Sequence, residues 1–217
     1  MDLSAAAGRA ALVALCASLS ACHEPAVHAV EGPNVVLIVV DTLRADHLGS
    51  YGYERATDTG LGDFLDHATR FESCRAPAPW TVPSTASLLS GLLPARHGVV
   101  DHGVSLSEDA VTLAESLEHS CFQTAGFSHN HNVSAATGFD QGFETFEAFL
   151  GGATAYPDLT ELTARAEHWL REDVRERFFL YMQHMNVHRP YMVPEARRDD
   201  LLGHAGREAG PCVEHGQ

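Results

Sequence analysis

An α/β domain, with a mostly parallel sheet sandwiched by helices, is the fold class that the sequence predicts. Three observations carry it. Val35-Val36-Leu37-Ile38-Val39-Val40 is an unbroken apolar run, largely β-branched, of the kind a parallel strand buried on both faces requires. Phe178 to Gln183 reads as a second buried strand. Between them, strand-like segments alternate with segments whose apolar residues recur at helical spacing, the pattern of parallel strands joined by crossover helices.

Taken in order, 34–40 is the first strand, central and fully buried. In 58–69, Leu61, Phe64, Leu65 and Ala68 fall at helical spacing, which predicts a helix. The stretch from Trp80 to Gly91 predicts another, with Thr81 as cap, Pro83 in the first turn and Gly91 as the stop. Val111, Leu113, Ala114 and Leu117 predict a helix over 108–119, and 123–128 reads as a strand. A long helix is expected over 158–175, with Leu162, Ala166, Trp169 and Leu170 on its inner face. Beyond Pro194 the pattern degrades, and 197–217 reads as an irregular, polar, Gly-rich tail.

The chain has 217 residues, enough for one substantial core, and its 45% apolar and 20% charged content is that of a globular domain. Net charge is −15 and all 14 basic residues are Arg. Such an acidic chain lacks the electrostatic footprint of a nucleic-acid binder. Without Lys it holds neither a Walker-type phosphate loop nor a Schiff-base residue.

The N-terminus reads as an export signal. Ala10 to Leu19 is apolar but too short for a bilayer span, and Leu19-Ser20-Ala21-Cys22 follows, resembling a bacterial lipobox. The expected organisation is a lipoprotein-type signal peptide over 1–21, lipid attachment at Cys22, a tether over 22–33, and a domain over 34–196. Export to the periplasm or outer membrane, with membrane contact through the anchor, is the matching expectation. A plain signal peptide or a misassigned start is the alternative. Cys74, Cys121 and Cys212 match no zinc-site spacing and are expected to be buried or incidental.

Three residues have the chemistry of a site. Asp41 ends the first strand, where ligands gather in open α/β sheets, and a carboxylate there suits a hard cation; a turn-forming role is the plain alternative. Thr81 lies 40 residues further on, at a helix start where free N–H groups and the dipole favour an anion. Its alternative is an ordinary N-cap. His188 follows the second buried strand and could exchange protons near neutral pH, against the background of a surface histidine.

The segments around these residues resemble the sulfatase family of the alkaline phosphatase superfamily. Val39-Val40-Asp41-Thr42-Leu43-Arg44-Ala45-Asp46-His47-Leu48-Gly49 resembles its opening motif, with Thr42 where many members have a second Asp. Thr81-Val82-Pro83-Ser84-Thr85, within the stretch that runs on to Leu88-Leu89-Ser90-Gly91, resembles the family's nucleophile motif, which opens C/S-x-P-S-R at a helix start. His188-Arg189-Pro190-Tyr191 resembles the family's His-x-Pro-Tyr segment. The resemblance spans 34–194 and only the first part of a family member, so the expected fold is a truncated sulfatase-like one.

The resemblance implies a metal-dependent hydrolase of sulfate or phosphate esters, acting on a small-molecule or glycan ester. Thr81 would be nucleophile and metal ligand, Asp41 metal ligand, and His188 acid or contact residue. It implies a divalent metal: Ca2+ first, with Mg2+, Mn2+ or Zn2+ as alternatives. Formylglycine is not expected, because Thr81 stands where that chemistry needs Cys or Ser, and the motif's Arg is Thr85. The competing expectation is a truncated, catalytically inactive lipoprotein remnant. Arg96-His97-Gly98-Val99 is expected to be structural, Asp101-His102-Gly103 a turn, and Ser128-His129-Asn130-His131-Asn132 a solvated loop, with metal binding by its His pair as the alternative. Oligomeric state and substrate identity are left open.

Overall fold

The structure, a computed structural model, describes residues 32–149, 159–174 and 177–189. They fall within one compact unit that begins at Gly32. Four strands, β1 (Val35–Val40), β2 (Gln123–Ser128), β3 (Thr145–Ala148) and β4 (Phe178–His184), form a sheet in the order β1-β4-β2-β3. All three pairings are parallel, as predicted. The α-helices are α1 (Gly62–Leu65), α2 (Thr81–Ser90), α3 (Pro94–His97), α4 (Leu113–Glu118) and α5 (Leu159–Glu172).

The core divides on the two faces of the sheet. On one face Val82, Ala86 and Leu89 of α2 and Ala114 of α4 pack with Phe179 and Tyr181 of β4, joined by Val35, Leu37 and Val39. On the other, Leu162, Ala166 and Trp169 of α5 cover Ala125, Phe127, Leu180 and Met182. Large side chains buried this fully each contribute about 1.5–3 kcal/mol. Leu170, expected on the inner face of α5, is instead 37% exposed, one position round the helix from Trp169.

Several expected elements differ. Among the described residues the first strand is not central but at the sheet edge, and Val36 and Ile38 are 51% and 58% exposed because α5 covers β2 and β4 and not β1. The expected helix over 58–69 is a 3-10 turn, Thr59–Leu61, and the single turn α1. Gly60 and Gly62 weaken it, and Phe64 is 70% exposed among the described residues. The helix expected over 108–119 starts only at Leu113, where Thr112 and Glu115 close a reciprocal capping box. Its expected inner residue Val111 is exposed. Strand β3 has no counterpart in the sequence reading.

Two glycines are required by backbone geometry. Gly91 ends α2 at φ 69°, the left-handed cap expected of it. Gly142 has φ 78° and lies so close to α4 that a Cβ there would meet the Glu115 backbone nitrogen at 2.1 Å.

Candidate active site

The parallel register pairs Val40 with His184, so both strands end together, and the Asp41 N–H donates to the His184 carbonyl at 2.9 Å. This sets Asp41 at the carboxyl edge of the sheet. Helix α2 begins at the same place. Its N-cap is Trp80, extended at φ −148° and ψ 165°, with no side-chain capping bond. Thr81 is therefore the first helical residue and not the expected cap. Its hydroxyl donates to Asp41 Oδ2 at 2.9 Å, a charge-assisted bond stronger than a backbone cap. Asp41 and Thr81, 40 residues apart in sequence, are thus brought together.

Two further donors converge on the same oxygen. Asn130 Nδ2 and Gln183 Nε2 each lie 3.3 Å from Asp41 Oδ2, and the Tyr181 hydroxyl donates to Gln183 Oε1 at 2.5 Å. Sequence reasoning missed all three. Gln183 carried a usable signal, a lone amide inside a buried apolar strand. Asn130 lies in the segment expected to be a solvated loop, yet His129 and Asn130 are both only 3% exposed; His131 alone is in solvent. Burial, and secondarily the charge of Asp41, pushes the Tyr181 hydroxyl well up from its ordinary range, which keeps it a hydrogen donor.

His188 sits in the turn after β4, its N–H bonded to Met185 O at 3.0 Å and its Nδ1 against Arg189 O at 2.7 Å. That contact makes Nδ1 the protonated nitrogen. Thr42 holds this turn to β1: its hydroxyl donates to Val187 O at 3.1 Å, from a backbone at φ 58° that a β-branched residue rarely adopts. A cleft of about 490 Å³ opens here, lined by Asp41, Thr42, Trp80, Thr81, Thr85 and His188 among others. Its charged and titratable lining among the described residues is one carboxylate and one imidazole, with no Arg. Arg44 of the opening motif is instead engaged with Asp46 in a two-bond ion pair.

Among the described residues the donor set does not complete a metal centre. Hard cations take six or more oxygens. Among the described residues no three His, Cys, Asp or Glu side chains group together. The two amides beside Asp41 present nitrogen to it and so act as donors to the carboxylate. Asp41, with Thr81 beside it, remains the residue with ligand chemistry.

The remaining motif residues are structural. His97 is buried, with Nδ1 accepting from the Val99 N–H at 3.1 Å and Nε2 3.0 Å from Ser87 Oγ. Asp101 caps His102 N at 2.7 Å in a turn, although the His102 ring also lies 4.5 Å from that of Trp80. Cys74 and Cys121 are free and exposed, so the buried alternative fails for both. Cys22 and Cys212 lie outside the described residues.

A sulfatase family model matches residues 33–200. Human arylsulfatase A (Homo sapiens) is 32% identical over 154 residues, covering 67% of this chain and 28% of that protein. The structure of BT4656 in complex with its substrate D-glucosamine-2-N,6-O-disulfate superposes with a TM-score of 0.67 at 20% identity. The match covers 80% of this chain and 38% of that one. Phosphonate monoester hydrolase of Agrobacterium radiobacter gives 0.63 at 18% identity, over 76% of this chain and 43% of its own. The chain spans about a quarter of the length of the curated relatives it matches.

Proposed function

Because the chain belongs to the sulfatase family, we propose that it carries the nucleophile-bearing part of a hydrolase site for sulfate or phosphate esters. The observation that supports this best is the 2.9 Å bond from the Thr81 hydroxyl to Asp41 Oδ2 at the start of α2. A free alcohol attacks poorly at neutral pH unless something takes its proton, and Asp41 is in place to do so. In the proposed step Thr81 Oγ forms a bond to sulfur or phosphorus, its proton passes to Asp41 Oδ2, and the bond to the leaving oxygen breaks with its electron pair. His188, at the cleft, protonates that oxygen. Water then hydrolyses the Thr81 ester and regenerates the hydroxyl. The first-turn N–H groups of α2 and the helix dipole favour the transferring anion.

Sulfatases generally use a divalent metal, which supplies charge neutralisation. Asp41 and Thr81 are this chain's proposed ligands for it, and Ca2+ is the proposed ion. Formylglycine has no place in the proposal, since Thr81 cannot be converted to that aldehyde. Small-molecule or glycan esters are the proposed substrates, in keeping with the sulfated glucosamine bound by BT4656. Export with a lipid anchor at Cys22 is part of the same proposal, and acyl labelling lost in Cys22→Ala tests it.

The decisive assay follows nitrophenyl sulfate and bis-nitrophenyl phosphate with the full chain in Ca2+, Mg2+, Mn2+ or Zn2+. Turnover that disappears in Thr81→Ala supports the proposal. Absence of turnover under every condition defeats it and favours the second reading, an inactive sulfatase-like lipoprotein. That reading draws on the sparse ligand set among the described residues and on Thr85 in place of the motif's Arg.

A further inference from the structure

The buried polar groups behind Thr81 support one more step, which rests on the reading of Thr81 and Asp41 given above. Asp41 Oδ2 accepts from Thr81 at 2.9 Å and from Asn130 and Gln183 at 3.3 Å. The carboxylate decides which end each amide turns toward it, since an amide oxygen there would face another acceptor. Both amides are also held from behind. Asn130 Oδ1 accepts from the Asn132 N–H at 2.9 Å, a bond lost if the amide turned over. Gln183 Oε1 accepts from Tyr181, and both of these residues are fully buried.

This arrangement is costly as a piece of core. A buried glutamine and a buried tyrosine hydroxyl destabilise unless fully paired, while apolar side chains at the same β4 positions would simply join the cluster of Phe179 and Val82. The chain keeps instead a file of hydrogen bonds from Tyr181 in the core, through Gln183 and Asp41, to Thr81 at the cleft.

We propose that Tyr181, Gln183 and Asn130 are positioning residues for Thr81. They hold Asp41 so that Oδ2 faces the Thr81 hydroxyl and fixes the direction in which Oγ points, and they leave Oδ1 outside the cage. Tyr181 acts only through Gln183. Asn130 acts independently, from the end of β2.

The test uses the full chain labelled with nitrogen-15, with the side-chain amide signals of Gln183 and Asn130 identified by their loss in Gln183→Met and Asn130→Ala. Both signals should move in Asp41→Asn, and that of Gln183 should move in Tyr181→Phe. In turnover, Tyr181→Phe and Gln183→Met should each lower kcat about tenfold with KM unchanged. The double variant should be no worse than Gln183→Met alone, because the tyrosine acts through the glutamine. Amide signals that ignore Asp41→Asn or Tyr181→Phe overturn the cage. Folded variants with wild-type kcat overturn the positioning role, and additive losses in the double variant overturn the file from Tyr181. If the wild-type chain turns nothing over, the function proposed above fails, and the amide signals alone decide the cage.

Discussion

Thr81 and Asp41 are joined by a 2.9 Å hydrogen bond that links the first turn of α2 to the carboxyl end of β1. The bond directs a helix-start hydroxyl away from capping and toward a carboxylate. It makes Thr81 functionally separable from its own helix. Thr81→Val should cost only about 1 kcal/mol in stability, because Asn130 and Gln183 still satisfy Asp41. It should lower turnover by roughly three orders of magnitude or more. Thr81→Ser, which keeps the hydroxyl, should retain measurable activity. Thermal melts and steady-state assays on the three proteins check this directly.

The β2–β3 crossover depends on a close approach. Gly142 combines φ 78° with a backbone neighbour at 2.1 Å from any added Cβ. Backbone atoms cannot swing aside as a flexible side chain can. Gly142→Ala should destabilise by more than about 2 kcal/mol, read as a lowered urea midpoint. Gly60→Ala, in open space, should leave the midpoint near wild type.

Acid should weaken the fold through His97. Burial pushes its pKa below the ordinary 6.5, against a smaller opposing effect of the Pro83 carbonyl. The unfolded chain therefore binds the proton first. The stabilisation is complete above pH 6.5 and is lost as pH falls from there through the lower folded value. Protonating Nδ1 breaks the bond from the Val99 N–H. His184 is shifted in the same direction, also chiefly by burial. Melting temperature should drop between pH 7 and pH 5, and His97→Gln, which keeps a donor toward Ser87, should flatten part of that slope. An unchanged slope in His97→Gln would assign it elsewhere.

Thr42 stores strain beside the cleft. Its φ of 58° costs a non-glycine residue roughly 1 kcal/mol or more, offset in part by the bond to Val187 O. Thr42→Gly should therefore leave thermal stability unchanged or raise it. Thr42→Val, which keeps the strain and loses the bond, should lower it by about 1 kcal/mol.

Much of this was legible in the sequence, for identifiable reasons. Strand β4 and helix α5 announce themselves because period and burial agree: Leu162, Ala166 and Trp169 fall on one face and find the sheet. Asp41 and Thr81 were legible as chemistry because each stands at the boundary of a regular element. The edge position of β1 was not, since an apolar run looks the same whether or not a helix covers both its faces. Asn130 and Gln183 were hidden for a different reason. Their role arises from β4 lying between β1 and β2, which brings the ends of all three strands together and lets both amides reach Asp41 across 89 and 142 residues, a proximity that no local pattern encodes. The helix expected over 58–69 had the right period, but Leu61 and Phe64 stay exposed among the described residues, and local spacing carries no information about that.

The central claim is that Thr81 is the nucleophile, and mapping a trapped intermediate tests it most directly. The full chain is quenched in acid during reaction with nitrophenyl sulfate or bis-nitrophenyl phosphate and digested with trypsin. With Arg75 and Arg96 as flanking cleavage sites and no basic residue between, Thr81 lies in the single peptide 76–96. The account predicts a sulfuryl or phosphoryl group on that peptide, localised to Thr81 by fragmentation and absent in Thr81→Val. Turnover by Thr81→Val at the wild-type rate, or the group found on another residue, would contradict it.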